Sequence, residues 1–162
     1  MILLKTIKDI KYSRNVEWKK RDAARAVLFD EHKLIPLLYV AKQKYHKLPG
    51  GGVYKNEDTK HALIREVNEE VGSEIEITDE LGKIIEYRSE WNLKQTSYCY
   101  LGKIVRKGKP KFTKEERNNG FELKWASLEE AIEKVTNDTT SDYEGVFIQQ
   151  RDLTFLKKAY DF

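Results

Sequence analysis

Three glutamates on one predicted helix have the chemistry of a divalent-cation site. Glu66 precedes Glu69 by three positions and Glu70 by four, so the three carboxylates fall on one helix face. Like charges at these spacings repel by about 0.2–0.5 kcal/mol per pair, and no lysine or arginine separates them. A solvated acidic face leaves that repulsion unexplained, whereas Mg²⁺ takes oxygen ligands and bridges carboxylates to phosphates. Arg65, four residues before Glu69, is placed to orient it as an outer partner.

A glycine-rich segment lies directly before this helix and must position it. Residues 48–52 (LPGGG) carry the densest turn signal in the chain. Asp58 and Thr59 mark a helix start, and Gly72 marks the helix end after about Val71. The apolar positions of the predicted helix share one quadrant and are Leu63, Ile64, Val67 and Val71. We therefore expect the glutamates to stand beside the glycines while the apolar quadrant packs inward.

Strand and helix signals alternate through the rest of the chain. The predicted strands are Ala23–Phe29, Leu34–Ala41, Ile75–Ile77, Lys83–Arg88, Lys94–Val105 and Phe121–Ala126. Ser127, with Glu130 as its capping partner, starts a helix through Ile132. A final helix begins near Asp142, with an apolar stripe of Val146, Leu153, Leu156 and Tyr160. Residues 1–21 form a basic arm, either an added strand or a loose tail, on a single α/β or α+β domain spanning 1–162.

The composition excludes several classes of protein. Of the 162 residues, 40% are hydrophobic and 11% aromatic, which excludes a disordered polyelectrolyte. The single cysteine, Cys99, excludes an internal disulfide framework and fits a reducing compartment. No window approaches the roughly 18 apolar residues of a membrane span, so we expect a cytoplasmic protein with no membrane partner. The net charge of +3 suits a phosphate-bearing ligand without requiring nucleic acid.

The segment from Gly51 to Ser73 resembles the Nudix box of the Nudix hydrolases, G-x5-E-x7-R-E-U-x-E-E-x-G-U with U apolar. The matching residues are Gly51, Glu57, Arg65, Glu66, Val67, Glu69, Glu70 and Gly72, and only the last position departs, as Ser73. The resemblance implies an α/β/α sandwich with a mixed β-sheet. It also implies hydrolysis, with Mg²⁺ or Mn²⁺, of a nucleoside diphosphate linked to another group.

The resemblance also implies roles for individual residues. Glu66, Glu69 and Glu70 become metal ligands, Arg65 an orienting catalytic residue, and Glu57 a structural or outer carboxylate. The glycines let the backbone approach the substrate closely and are Gly50, Gly51 and Gly52. Glu69 and Glu70 are both candidates to accept the proton of the attacking water. Many members place a further metal-binding glutamate before the Trp-bearing strand, where Glu116 stands, with Glu115 as the substitute; a solvated Lys/Glu-rich loop is the competing interpretation.

Several substrates remain open at this point. A small nucleotide is favoured, a normal or modified nucleoside triphosphate cleaved to monophosphate and pyrophosphate, because the chain is a single small domain. ADP-ribose or another nucleotide sugar is one alternative, and the 5′ pyrophosphate of RNA is another, which the basic run between Lys103 and Lys114 would assist. A non-catalytic nucleotide-binding domain is a third, favoured by Ser73 and by Tyr54, which stands where many active members have glutamate. Monomer and homodimer are both compatible with the sequence.

Overall fold

The computed structural model describes residues 1–162 and contains eight strands and four α-helices. The strands are β1 (Leu3–Lys8), β2 (Lys19–Phe29), β3 (Ile35–Val40), β4 (Tyr45–Lys47), β5 (Gly50–Gly52), β6 (Glu74–Arg88), β7 (Leu93–Arg106) and β8 (Phe121–Ala126). The helices are α1 (Thr59–Glu70), α2 (Lys114–Asn118), α3 (Leu128–Asn137) and α4 (Tyr143–Ala159). None of the helices combines the length and the apolar character needed to cross a bilayer.

The strands form two sheets. The larger sheet has the order β1-β6-β7-β2-β5 and is mixed, since β1 is parallel to β6 and β2 is parallel to β7, while the other neighbours are antiparallel. The smaller sheet has the order β4-β3-β8 and is antiparallel throughout. The predicted mixed sheet is therefore confirmed, and the structure adds a second sheet to it.

Two hydrophobic cores cover opposite faces of the larger sheet. Alternate residues of β2 point to different cores, because successive side chains of a strand face opposite sides. Val27 packs with the core of α3 and α4, whereas Ala26 and Leu28 pack with the core of α1. Cys99 is buried in the first of these cores as a free thiol. The sheet is thus sandwiched between helices, as the α/β/α prediction requires.

The predicted strands differ from the observed ones in their extent. The N-terminal arm takes the added-strand form as β1, but its last three residues, 19–21, already belong to β2. The segments predicted at 75–77 and 83–88 are one strand, β6, which the sequence pattern divided because the register shifts twice between Ile77 and Gly82. β3 accommodates Pro36, which has no backbone N–H to donate, because β4 pairs only with residues 38–40. At Pro36 the strand therefore has a single neighbour, β8.

Two predicted apolar faces are partly wrong. On α1, Leu63 and Val67 are buried but Ile64 is 49% exposed. On α4, Val146 and Tyr160 are exposed, and only Leu156 of the predicted stripe is fully buried. The buried face of α4 consists of Gly145, Phe147, Ile148, Arg151, Asp152, Phe155, Leu156 and Ala159. The charged residues Arg151 and Asp152 stand in the middle of that face. The face therefore cannot be identified from the spacing of hydrophobic residues alone.

Capping side chains fix the helices that lie near the glycines. Asp58 accepts the His61 N–H at 2.8 Å and so starts α1. Ser127 and Glu130 form the predicted capping box of α3, although the helix continues beyond Ile132 to Asn137. A second capping box, Thr113 with Glu116, starts the short helix α2 at the end of the basic run, where no helix was predicted.

Candidate active site

The three glycines form strand β5 and not a free turn. Gly50 pairs with Arg25 and Gly51 pairs with Ala24 on the neighbouring strand β2, so β5 is the edge strand of the larger sheet. Gly50 has φ of +136°, and a Cβ there would lie 2.0 Å from the Ala24 carbonyl oxygen, so only glycine fits. A Cβ on Gly51 would lie 2.4 Å from the Glu66 carboxylate. The glycines therefore allow one backbone strand to lie between β2 and the carboxylates of α1.

Arg65 connects the two ends of the predicted motif. Its Nη1 donates to Glu66 Oε1 at 2.8 Å, and its Nε and Nη2 donate to the Glu57 carboxylate at 3.2 and 2.5 Å. Nη2 also donates to the Gly52 carbonyl at 3.0 Å. The hydrogen bond from Arg65 holds the pKa of Glu57 below its ordinary value, so Glu57 is ionised at neutral pH. Arg65 forms no hydrogen bond or ion pair with Glu69, and its carboxylate partners are Glu57 and Glu66.

Tyr54 packs on the guanidinium of Arg65. The Arg65 Cζ lies 3.8 Å from the centre of the Tyr54 ring, within the range of a cation–π contact. Tyr54 also donates its backbone N–H to Glu57 at 2.9 Å. Tyr54, the residue that departs from the family pattern, thus packs against the flat face of the same arginine whose N–H groups bond Glu57 and Glu66.

A cleft of about 590 Å³ opens beside β5 and is lined by both acidic and basic side chains. Asp142 and Glu144, at the start of α4, are among its acidic residues. Its acidic wall, formed from α1 and α2, contains Glu66, Glu69, Glu115 and Glu116. Its basic wall contains Arg21, Arg25 and Lys47, and the glycines of β5 also line it. Burial raises the pKa of Glu69, the charge of Glu66 raises it further, the charge of Arg65 opposes the rise, and the charge of Glu116 adds to it. A cation bound in this cleft would reduce the repulsion that Glu69 experiences from the other carboxylates.

Glu116 reaches the cleft from a segment almost fifty residues beyond α1. The Lys111 N–H donates to the Glu69 carbonyl at 2.6 Å and ties this segment to the end of α1. The Glu116 carboxylate accepts the Thr113 N–H at 2.9 Å, so the capping box of α2 also orients Glu116. Glu115 lines the same cleft. The two glutamates predicted from the loop are thus brought beside the glutamates predicted from the helix.

Glu70 differs from the other glutamates of the motif because its side chain is 1% exposed. Its Oε1 accepts the Gly50 N–H at 2.9 Å. Its Oε2 lies 3.0 Å from Lys47 Nζ, outside hydrogen-bonding geometry, and has no other polar partner. Burial raises the pKa of Glu70, whereas Lys47 and the Gly50 N–H oppose that rise. The carboxylate predicted to be the third helix ligand therefore lies beneath the cleft, paired with a lysine.

The donors on the acidic wall fit a hard divalent cation. No three carboxylate, imidazole or thiolate side chains converge closely enough to hold an ion by themselves. Mg²⁺ needs no such closed cage, because it keeps several waters and binds through one or two carboxylates together with substrate phosphates. Glu66, Glu69 and Glu116 supply the oxygen donors, and the open cleft leaves room for water and phosphate. The acidic wall therefore fits such an ion as an open site.

The sequence analysis passed over the residues of the basic wall. Arg25 is 5% exposed and donates to the Gly50 carbonyl, and burial lowers its pKa to about 10, so it remains cationic at neutral pH. Arg21 donates to Gln95, and Lys47 immediately precedes the LPGGG segment. Arg25 carried a signal in the sequence, since a charge inside an apolar strand requires a buried partner. Arg21 and Lys47 carried none, because lysine and arginine at the end of a strand are common on any surface.

Comparison with known proteins gives a match to the NUDIX domain profile over residues 19–147. An RNA pyrophosphohydrolase from Campylobacter jejuni subsp. doylei is 37% identical over 93 residues, which cover 55% of this chain and 53% of that protein. The chain therefore spans about half the length of that relative.

Two solved structures show the same fold at low sequence identity. A NUDIX hydrolase from Nitrosomonas europaea superimposes with a TM-score of 0.64 at 18% identity, covering 88% of this chain and 90% of that one. A MutT protein from Methanosarcina mazei Go1 gives a TM-score of 0.62 at 19% identity, covering 91% of this chain and 98% of that one. The profile match includes every residue that lines the cleft except Ile148.

Proposed function

This chain belongs to the Nudix hydrolase family, and from that premise we propose that it is a Mg²⁺-dependent pyrophosphohydrolase of small nucleotides. Its substrate is a nucleoside diphosphate linked to another group. We favour a normal or modified nucleoside triphosphate, with the monophosphate and pyrophosphate as products. The single buried cysteine fits a reducing compartment, so we place the protein in the cytoplasm. A monomer and a homodimer are both compatible with this proposal.

The opposite charges of the two cleft walls carry the proposal. A pyrophosphate needs cations for its oxygens and a carboxylate site for the metal, and this cleft is lined by both kinds of side chain. The basic wall is too small to be an extended nucleic-acid surface, because it contains Arg21, Arg25 and Lys47 within one cleft. This geometry supports binding of a compact anionic ligand.

The residues of the cleft have distinct roles in the proposed reaction. When bound, a divalent cation neutralises charge that develops on the pyrophosphate and lowers the pKa of a bound water. Glu66, Glu69 and Glu116 line the cleft and would hold the ion, and Glu70 would join them only if its ion pair with Lys47 opened. Arg65 fixes the Glu66 carboxylate, and Gly51 leaves it the space it occupies. Of the two candidate proton acceptors, Glu69 is the one that lines the cleft.

The 5′ end of RNA is a second candidate substrate. The Campylobacter relative is named an RNA pyrophosphohydrolase. The basic run is adjacent to the cleft, because the Lys111 N–H is bonded to the Glu69 carbonyl at the end of α1. Binding that used several of these lysines would weaken steeply with added salt, since each neutralised phosphate releases counterions.

Turnover on a panel of substrates tests the proposal. Phosphate and pyrophosphate release is measured with Mg²⁺ on normal and oxidised nucleoside triphosphates, ADP-ribose, nucleotide sugars, dinucleoside polyphosphates and a triphosphorylated RNA. We expect metal-dependent turnover that falls by about 10²–10⁴-fold in Glu69→Gln, the usual contribution of a general base. Glu116→Gln also lowers turnover while keeping α2, because glutamine serves equally well in a capping box.

Glu129→Gln is the matched control, since Glu129 is exposed at the start of α3 and away from the cleft. Its turnover should equal that of the parent. Nucleotide binding without turnover on any substrate would contradict the hydrolase and favour a non-catalytic binding domain. Preference for the RNA substrate, with a steep salt dependence, would favour the second candidate over the first.

A further inference from the structure

Lys47 stands between the basic wall of the cleft and the buried carboxylate of Glu70. It is the last residue of β4, and its side chain is 12% exposed. Its ammonium lies 3.0 Å from Glu70 Oε2 and 5.2 Å from the centre of the Phe121 ring. Both Lys47 and Phe121 line the cleft, whereas Glu70 does not. Lys47 is therefore the group through which Glu70 meets the cleft.

One carboxylate oxygen of Glu70 has no polar partner except this lysine. Oε1 accepts the Gly50 N–H, which fixes the carboxylate against β5. Oε2 is buried, accepts no hydrogen bond and has only the ion pair with Lys47. A buried carboxylate oxygen without a hydrogen bond is unusual, because most buried polar atoms in native proteins have a partner. The geometry leaves the lone pairs of Oε2 available for a stronger ligand.

Lys47 and a divalent cation exclude each other at this oxygen. An ammonium and a doubly charged ion that shared Oε2 would lie within a few ångströms, where like charges repel strongly in a buried site. Glu70 is fixed by Gly50, so the lysine is the partner that moves. Its four-carbon side chain rotates freely enough to do so, and the cleft that it lines gives the ammonium a place to go.

We propose that a divalent cation displaces Lys47 from Glu70, and that the displaced ammonium binds a phosphate of the substrate. Lys47 is thus a positioning residue that couples the two binding events. Before metal binds, it neutralises Glu70 and competes with the ion. After metal binds, its positive charge is no longer paired with Glu70 and acts together with those of Arg21 and Arg25 on the substrate. The inference rests on the proposed function, since it takes the acidic wall as the metal site.

Mn²⁺ binding without substrate tests the first half. Free Mn²⁺ is measured by electron paramagnetic resonance during titration of the wild type, Lys47→Met and Lys42→Met. Methionine removes the charge and keeps the length, and Lys42 is an exposed lysine five residues away. We expect Lys47→Met to bind Mn²⁺ about tenfold more tightly than wild type, which corresponds to about 1.4 kcal/mol. Lys42→Met should match wild type, and adding Glu70→Gln to Lys47→Met should remove the gain.

Nucleotide affinity tests the second half. With the best substrate of the panel, Lys47→Met should raise KM about tenfold with a smaller change in kcat, as loss of a phosphate contact predicts. Lys47→Arg keeps the positive charge and should restore most of the affinity. A purely structural role for Lys47 would lower the thermal unfolding midpoint of Lys47→Met without raising its Mn²⁺ affinity.

The outcomes separate this inference from the proposed function. If the wild type binds Mn²⁺ and Glu69→Gln abolishes that binding, the acidic wall is the metal site. Unchanged or weaker Mn²⁺ binding in Lys47→Met would then overturn the exchange at Glu70 alone. Failure of the wild type to bind Mn²⁺ at all would overturn both. Folding of each variant is checked by its thermal unfolding midpoint.

Discussion

Arg65 holds four groups of the site together at the scale of single residues. Its guanidinium bonds Glu57, Glu66 and the Gly52 carbonyl, and its face carries the Tyr54 ring. A planar fork with five N–H donors can meet these partners at once, whereas an ammonium is a point charge. The residue that the sequence predicted to orient Glu69 instead ties the glycine strand to Glu66, the first glutamate of α1 in the motif.

Replacing Arg65 by lysine should therefore weaken the metal site. We expect Mn²⁺ affinity and turnover in Arg65→Lys to fall by about 10–100-fold, the range for outer partners of a metal site. Arg106→Lys is the control, since Arg106 forms an exposed ion pair with Glu74. Titration with Mn²⁺ and the hydrolysis assay measure both variants. Equal behaviour of the two variants would mean that the geometry of Arg65 is not needed.

Tyr54 contributes a smaller effect at the same scale. Removing its ring in Tyr54→Ala should lower the free energy of unfolding by about 0.5–1 kcal/mol, the range for an exposed cation–π contact. Tyr54→Phe keeps the ring on Arg65 and should leave stability unchanged. Urea denaturation of the two variants measures the difference. A similar loss in both would assign the effect to the hydroxyl group and not to the stacked ring.

At the scale of elements, strand β5 separates the acidic wall from β2 because it has no side chains. Its first two positions require glycine for different physical reasons. Gly50 needs its positive φ and its close approach to the Ala24 carbonyl, which are both backbone constraints. Gly51 leaves room for the Glu66 carboxylate, which is the end of a flexible side chain. The two positions should therefore respond differently to the same substitution.

Alanine at these two positions gives opposite signatures. Gly50→Ala should destabilise the fold by about 1–3 kcal/mol or more, because the backbone is strained. Gly51→Ala should keep a thermal midpoint near that of the wild type but bind Mn²⁺ more weakly, since its methyl group pushes Glu66 away. Thermal unfolding and Mn²⁺ titration compare the pair. Normal Mn²⁺ affinity in a folded Gly51→Ala would contradict the placement of Glu66.

At the scale of the whole molecule, a buried charge network joins α4 to the start of the glycine segment. Asp152 accepts the Leu48 N–H at 2.8 Å and the Arg151 Nε–H at 2.7 Å. Arg151 also lies 3.5 Å from Glu86, which is bonded to Arg88 at 2.9 Å. The C-terminal helix therefore holds the residue that leads into LPGGG, although neither Arg151 nor Asp152 belongs to the motif.

Breaking this network should be costly. Asp152→Ala removes one of the two carboxylates that are paired with the buried Arg151 and leaves only Glu86. We therefore expect a loss of about 3–5 kcal/mol in the free energy of unfolding. Asp161→Ala removes an exposed ion pair with Lys158 and should lose no more than about 1 kcal/mol. Urea denaturation measures both. A loss below about 1 kcal/mol in Asp152→Ala would show that α4 does not depend on the pair.

The same network sets an acid dependence of stability. Burial raises the pKa of Glu86, but Arg151 and Arg88 outweigh burial and hold it below the ordinary value of 4.5. A carboxyl with a lowered folded pKa contributes stability that is present above the unfolded pKa and lost as pH falls through the folded one. Urea unfolding between pH 7 and pH 3 should therefore show a shallower acid decline in Glu86→Gln than in the wild type. Parallel declines would assign the acid sensitivity to other carboxylates.

The sequence by itself determined the parts that depend on local spacing. The i, i+3 and i, i+4 positions of Glu66, Glu69 and Glu70 fix them on one helix face, and the motif around them gives the family. Alternating strand and helix signals indicated an α/β or α+β domain, and the resemblance to the Nudix family added the expectation of a mixed sheet between helices. These features were predictable because each of them is contained within one turn, one helix or one strand.

Only the tertiary structure decided which side chains the cleft admits. Glu70 shares a helix face with Glu69 but lies beneath β5, because Gly50 and Lys47 pack against it. Glu116 joins the site through a bond between Lys111 and Glu69 that crosses more than forty residues of chain. Arg151 and Asp152 stand inside the face that an apolar pattern assigned elsewhere. Helical periodicity defines a face, but the segments that pack opposite that face decide whether it is open, and those contacts are remote in sequence.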